Sequence, residues 1–159
     1  MQQLVLNKLI SKAGISNADI GLVFSGDLLN QCIGSSFSLR NSGIPHLGLY
    51  GACSTMAESL LVASMAVTGG FSDKVVAMTS SHFASSERQY RFPLGYGGQR
   101  TPTAQWTVTG AAAFLLSDLR ESYYPRNVQN ECLPRITEIL PGISVDRGIS
   151  DAGNMGAAM

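Results

Sequence analysis

The feature that most constrains the fold is a short elbow, Gly51 to Ser54, followed by a helical run that is almost free of charge. The elbow follows an apolar stretch, Leu47 to Tyr50, and the run from Met56 to Val67 carries only Glu58. A helix that is apolar on all sides must be buried, so this one needs cover from other layers of structure. The sequence therefore predicts a strand, a tight turn and a buried helix in succession.

Cys53 lies in the middle of this elbow, directly before the predicted helix. The first turn of a helix has N–H groups without intrahelical partners, and its dipole favours an anion. A thiol in that environment should lose its proton more easily than a free cysteine. The position suits a nucleophile or an anion-binding site. The alternative is a small buried hydrophobe, which is what most free cysteines are.

Apolar runs typical of buried strands alternate with helical segments along the chain. The spacing of Leu4, Leu6, Leu9, Ile10 and Ala13 predicts a first helix that ends at Gly14. The other predicted elements are strands in Ile20 to Ser25, Lys74 to Ser80, Gln105 to Ser117 and Ile136 to Leu140, and a short helix within Leu28 to Arg40. This alternation predicts an α/β fold with a mainly parallel sheet.

The composition narrows the class of protein. Lys and Arg number 11 and Asp and Glu number 11, so the net charge is zero and a nucleic-acid partner is not expected. No apolar run approaches the ~18 residues of a membrane span, and the N-terminus does not have the pattern of a signal peptide. The three cysteines, Cys32, Cys53 and Cys132, have no metal-ligand spacing. We expect a reduced, cytoplasmic protein with free thiols and no metal site.

A polar, glycine-rich segment from Ser81 to Pro102 interrupts the alternation. An irregular stretch of that length inside a compact domain is usually functional. It contains Arg88, Arg91 and Arg100 together with several aromatic residues. Arginine forks suit a dicarboxylate, and the alternative is a solvated loop surface.

Several of these segments resemble the stage V sporulation protein AD family of spore-forming bacteria. The matching segments are Ser25 to Gln31, Gly51 to Ser59, Thr79 to His82, Arg91 to Pro93, Tyr96 to Ala104, Thr107 to Gly110, Gly148 to Asp151 and Asn154 to Gly156. Together they cover most of the chain and are far more specific than the cysteine elbow, which would match thiolases and ketoacyl synthases in general.

The resemblance implies a thiolase-like fold, in which two related α/β halves form a layered αβαβα body. It implies a binding role: the family holds dipicolinic acid (pyridine-2,6-dicarboxylic acid) and helps to load it into the developing spore together with a membrane channel complex. Cys53 would occupy the thiolase nucleophile position, and Asp27 would lie in the motif that lines the ligand pocket.

Family members are about twice as long, so the resemblance implies that residues 1–159 are an incomplete N-terminal half, truncated at both ends. In such halves the first strand is central, between the strands that begin here at Ile20 and Lys74. Its loss should expose two strand edges or force these strands to pair directly.

The resemblance and the residues together give five candidate ligand-binding positions: Asp27, Cys53, His82, Arg91 and Arg100. Asp27 could instead cap the helix that follows it. His82 follows a strand end, where functional residues are common, but a structural hydrogen bond is the preferred interpretation. The histidines that serve thiolases as bases come from the second half, so catalysis by this chain is not expected.

Three functions follow from these expectations. The first is a non-catalytic sporulation protein that binds dipicolinic acid, with calcium carried by the ligand as the one candidate cofactor. Its expected partners are spore channel proteins of the same operon type and a second copy of the chain, and its expected location is the cytoplasm or the surface of the spore inner membrane. The second is a thiolase-like acyltransferase with Cys53 as nucleophile. The third is a structural or interaction subunit without activity.

Overall fold

The computed structural model describes residues 1–81, 102, 108–118 and 133–143. In chain order its helices and strands are α1 (Gln2–Ala13), β1 (Leu22–Gly26), α2 (Ile33–Leu39), β2 (His46–Leu49), α3 (Thr55–Thr68), β3 (Lys74–Ser80) and β4 (Ala111–Ser117). Short 3₁₀ turns precede β1, α2 and α3. The predicted α/β class is therefore confirmed.

The four strands form one sheet in the order β2-β1-β3-β4. β1 pairs in parallel with both β2 and β3, whereas β4 runs antiparallel to β3. The sheet is thus mixed and mostly parallel, as the apolar, uninterrupted character of β1 and β3 predicts.

β1 and β3 hydrogen-bond to each other directly, from the pair Leu22 and Val75 to the pair Gly26 and Thr79. These are the two strands that were expected to flank a central strand. Direct pairing, one of the two expected outcomes, is confirmed, and no strand lies between them. The interpretation of residues 1–159 as an incomplete domain stays a prediction.

The strands place alternate side chains on two faces, and each face has its own apolar cluster. Val23, Val76 and Met78 pack with Leu6 of α1 and Leu39 of α2. Phe24, Val75 and Ala77 pack with Ala63 and Ala66 of α3. Because side chains alternate along a strand, neighbouring residues such as Val23 and Phe24 belong to opposite layers. The described part of the chain is therefore a sheet between α1 and α2 on one side and α3 on the other.

α3 is buried on one side only within the described residues. Its sheet-facing positions are small, among them Ser59, Ala63 and Ala66, which lets the helix approach the strands closely. Met65 on the other side is 59% exposed. The expectation of a helix buried on all sides therefore does not hold for this part of the chain. The helix itself is confirmed and ends at Thr68, with Gly69 as its C-cap.

One other sequence prediction needs correction. Residues 136–140 form no strand, and Ile136 and Leu140 are exposed, because no described strand lies alongside to supply hydrogen bonds. The short helix predicted within Leu28 to Arg40 is confirmed as Ile33–Leu39, and Asp27 fixes the residues before it in a turn. The helix end at Gly14 is confirmed, with a left-handed φ of 67° at that glycine.

Candidate functional site

A cleft of about 460 Å³ opens where β1 and β3 end and β4 begins. Its lining comprises Asp27, Leu28, Ala52, Cys53, Met56, Thr79, Ser80, Ser81, Val108, Gly110, Ala111 and Ala112. Ligands of open α/β sheets bind outside the carboxyl ends of the strands, and a volume of this size is within the range of small-molecule sites. The cleft brings together two of the five predicted site residues, Asp27 and Cys53.

The elbow between β2 and α3 carries Cys53 to the mouth of this cleft, where its side chain is exposed. Ala52 has a left-handed φ of 48°, which costs free energy in a residue with a Cβ. The turn is closed locally: the Gly51 N–H donates to Thr55 Oγ1 at 3.1 Å, and the Ser54 hydroxyl donates to the Gly51 carbonyl at 2.8 Å. Cys53 is thereby held just before the first turn of α3, as the sequence predicts.

The end of β1 lies against the start of α3 with no room for a side chain. A Cβ on Gly26 would lie 2.2 Å from Thr55 Cγ2 and 2.4 Å from the Leu49 carbonyl oxygen. The glycine is therefore required by close packing and not by its backbone angles. This contact sets the distance between Asp27, which follows β1, and the elbow.

Asp27 is 4% exposed although it lines the cleft. Its Oδ1 accepts the Leu29 N–H at 2.7 Å, and its Oδ2 accepts both the N–H and the hydroxyl of Ser35 at 2.7 Å. Ser35 is in the first turn of α2, so Asp27 satisfies a helix N–H there in the manner of an N-cap residue. Asp27 therefore satisfies the start of α2 and also lies at the cleft, and its contact with a ligand stays a prediction.

The opposite wall of the cleft is fixed by the ends of β3 and β4. Thr79 Oγ1 donates to the Gly26 carbonyl at 3.0 Å. The N–H of Ser81 donates to the Gly110 carbonyl and its hydroxyl donates to the Val108 carbonyl, each at 2.9 Å. This wall consists of hydroxyl-bearing and small residues from the end of β3 and the start of β4.

Cys32 lies behind the elbow, and its thiol donates to the Leu49 carbonyl at 3.3 Å. Burial raises the pKa of the Cys32 thiol, and the charges of Asp27 and Glu58 raise it further. Gln31 and Cys32 both have left-handed backbone angles, with φ of 59° and 53°. A buried, protonated thiol of this kind is structural.

Sequence reasoning missed two residues of the site's support, Gln2 and Ser35, which are both completely buried. Ser35 falls inside the motif-free part of the segment predicted as a helix, and Gln2 is a polar residue at the chain start. The spacing of these two residues does not predict their burial, because a polar side chain is buried only where the fold supplies hydrogen-bond partners. The predicted site residues His82, Arg91 and Arg100 lie outside the described residues.

The described residues hold no group of three or more His, Cys, Asp or Glu side chains that could bind a metal ion. Their helices also include none that is long and apolar enough to cross a membrane.

A fold comparison finds solved structures that resemble part of this chain. The 3-oxoacyl-[acyl-carrier-protein] synthase III from Aquifex aeolicus VF5 matches with a TM-score of 0.55 at 15% identity, over 76% of this chain and 38% of that one. The priming beta-ketosynthase from the R1128 polyketide biosynthetic pathway matches with a TM-score of 0.44 at 22% identity, over 51% of this chain and 26% of that one. The first of these likenesses shows a thiolase-like fold.

Two sequence comparisons identify the family. Stage V sporulation protein AD from Bacillus subtilis (strain 168) is 42% identical over 154 residues, which are 97% of this chain. The chain spans 42% of that relative's length. The sequence profile of the family described as Stage V sporulation protein AD matches residues 1–159. The chain belongs to the stage V sporulation protein AD family.

Proposed function

We propose that the sporulation protein to which this chain corresponds binds dipicolinic acid in the cleft between β1, β3 and the elbow and supports its uptake into the developing spore. Family membership supports the biological setting. The observation that carries the proposal is the composition of the cleft: its charged lining residue, Asp27, already accepts three hydrogen bonds from the protein.

A site for an anionic ligand needs hydrogen-bond donors or positive charge, and little negative charge from the protein. Backbone N–H groups and the Ser35 hydroxyl already hold the Asp27 carboxylate, and the Thr79 and Ser81 hydroxyls donate their protons to backbone carbonyls. The start of α3 adds the favourable end of a helix dipole beside Cys53. This end of the helix favours a carboxylate group of the ligand beside Cys53.

The same geometry argues for binding over catalysis. A nucleophilic cysteine needs a general base within hydrogen-bond reach. The described residues of the cleft include no histidine or lysine, and both oxygens of Asp27 are engaged with α2 and the turn before it. We therefore assign Cys53 to contact with the ligand.

The proposal is tested by titration calorimetry of the purified chain with dipicolinic acid, with and without Ca²⁺. We expect saturable heat for one site and weaker binding in Cys53→Ala. The matched control is Thr68→Ala, at the exposed far end of the same helix. A chain that is folded by circular dichroism but gives no heat would contradict the proposal, as would affinity that Cys53→Ala leaves unchanged.

A second candidate is an acyltransferase that uses Cys53 as its nucleophile. The exposed position of Cys53 on an elbow before α3 favours it. This function requires that Cys53 reacts with iodoacetamide faster than a model thiol and gains the mass of an acyl group from an acyl-thioester. Peptide mapping distinguishes Cys53 from the other two cysteines in both reactions.

The remaining expectations about this protein are part of the proposal. Calcium would arrive with the ligand, and the calorimetric titration with Ca²⁺ decides this. The proposed partners are channel proteins of the spore and a second copy of the chain. The proposed location is the surface of the spore inner membrane. Co-purification from sporulating cells and sedimentation of the pure protein test them.

A further inference from the structure

Gln2, the first residue of α1, is completely buried although its amide is polar. Its Nε2 donates to the Gly26 carbonyl at 2.8 Å and to Ser35 Oγ at 3.0 Å. α1 and α2 cover the face of the sheet opposite α3, and Gln2 is not among the residues that line the cleft. It therefore acts on the cleft only through other residues.

Both acceptors of the Gln2 amide hold Asp27 in place. Gly26 is the residue before Asp27, and Ser35 donates its N–H and its hydroxyl to Asp27 Oδ2. A serine hydroxyl has one proton. Because Ser35 Oγ accepts from Gln2, that proton is directed to the carboxylate, and the order of donation is Gln2 to Ser35 to Asp27.

The orientation of the amide is fixed by the same contacts. The Gly26 carbonyl can only accept, so the nitrogen and not the oxygen of the amide must face it. Gln2 Oε1 is left without a hydrogen-bond partner among the described residues, and so is the buried hydroxyl of Ser25, next to Gly26. An unpaired buried acceptor costs free energy. Gln2 therefore makes two hydrogen bonds at the cost of burying one unpaired oxygen, a loss of free energy that an apolar side chain of the same size would avoid.

We propose that Gln2 is a positioning residue of the cleft, which fixes the backbone of Gly26 and the carboxylate of Asp27 from the far side of the sheet. The effect on ligand affinity rests on the proposed binding of dipicolinic acid. The effect on the 27–35 segment does not depend on any ligand.

The experiment compares Gln2→Met with Leu6→Ala. Methionine has about the volume of glutamine but lacks its hydrogen-bond donors. Leu6 is the control because it is buried in the same helix, packs in the apolar cluster and has no polar side-chain atom that could bond to Asp27. Hydrogen exchange at the amides of Leu29 and Ser35 is measured under conditions in which the two variants have equal global stability. Calorimetry with dipicolinic acid gives the affinity of each.

We expect Gln2→Met to speed exchange at both amides by about tenfold over Leu6→Ala and to weaken binding by about tenfold. Equal exchange in the two variants overturns the proposal. So does an affinity of Gln2→Met for dipicolinic acid within about twofold of that of a wild type that binds it.

If the wild type binds no dipicolinic acid, the proposed function fails and the exchange rates alone decide the role of Gln2. If Gln2→Met does not fold, Ser35→Ala, which removes the relaying hydroxyl and keeps the Ser35 N–H, must show the same faster exchange at Leu29.

Discussion

The two loops that flank the cleft are held in opposite ways. The loop after β1 is fixed by buried hydrogen bonds between distant parts of the chain: Gln2 reaches Gly26 and Ser35, and Ser35 reaches Asp27. The elbow after β2 is fixed by hydrogen bonds within five neighbouring residues, from Gly51 to Thr55, and leaves Cys53 exposed. One loop uses its polar groups internally, whereas the other presents one to the cleft.

The sequence predicts that Asp27 and Cys53 both bind a ligand, but their hydrogen bonds indicate different roles. Asp27 gives its oxygens to the fold, so its contribution to a ligand is mainly the shape of the wall. Cys53 gives nothing to the fold in the described contacts, so substitution there should cost little stability and should act on the ligand. Changes to the first loop should therefore appear in unfolding experiments, and changes to the elbow should appear in binding.

The largest expected effect comes from Gly26→Ala, which would force the two loops apart. The added Cβ would overlap Thr55 Cγ2 and the Leu49 carbonyl, and backbone cannot move aside as a flexible side chain can. We expect a loss of about 3 kcal/mol or more in the free energy of unfolding. Urea denaturation measures it, with Gly110→Ala as the control, because a Cβ on Gly110 meets none of the described residues within 4 Å. Equal stability of the two variants would contradict the described packing.

Asp27→Ala should remove the anchor of the first loop. It leaves the N–H groups of Leu29 and Ser35 without their acceptor in a buried setting, which should cost about 2–3 kcal/mol of unfolding free energy. Cys53→Ala is the matched control on the elbow and should change this free energy by less than about 0.5 kcal/mol. If both variants are equally stable, the contrast between the loops is wrong.

Two buried serines on the same face of the sheet give a smaller and more selective test. Ser35 donates to Asp27 and accepts from Gln2, whereas the Ser25 hydroxyl has no partner within the described residues. We expect Ser35→Ala to cost about 1–2 kcal/mol and Ser25→Ala to be neutral or stabilising by up to about 1 kcal/mol. Thermal and denaturant unfolding of both variants measure the difference, and a costly Ser25→Ala would show that its hydroxyl is bonded.

The smallest effect concerns alkaline pH and Cys32. Its folded-state pKa is raised, so the folded protein retains a proton that the unfolded chain releases above the ordinary value of 9.0. This contribution to stability is complete below that value and is lost as the pH rises through the folded-state pKa. We expect wild type to lose more stability than Cys32→Ala between about pH 8 and 10. Parallel unfolding profiles would contradict the raised pKa.

Periodicity and turn chemistry predict the framework of this chain well. The five apolar residues spaced between Leu4 and Ala13 predict α1, the apolar run predicts β3, and the nearly uncharged run predicts α3. All three elements are confirmed. The elbow is predicted for the same reason, since small residues between a strand and a helix leave few alternatives.

The remaining features depend on contacts across the fold. Residues 136–140 have the composition of a strand but no described neighbour, and a strand exists only with a partner. α2 begins at Ile33 because the Asp27 side chain holds the preceding residues in a turn. Helix propensity, which is summed residue by residue, does not include such a hydrogen bond. Gln2 could not be identified from sequence, because its role depends on Gly26 and Ser35, which are distant in the chain.

The position of β1 in the sheet has a consequence for how the chain acquires its structure. β1 is synthesised before its partners β2 and β3, and α2 and α3 separate it from them along the chain. Such non-local pairing slows folding, and the apolar edge of β1 stays open until β3 has been made. The cleft cannot form before that moment, because its walls include the ends of both strands. We expect slow synthesis at low temperature to give more folded protein than rapid synthesis.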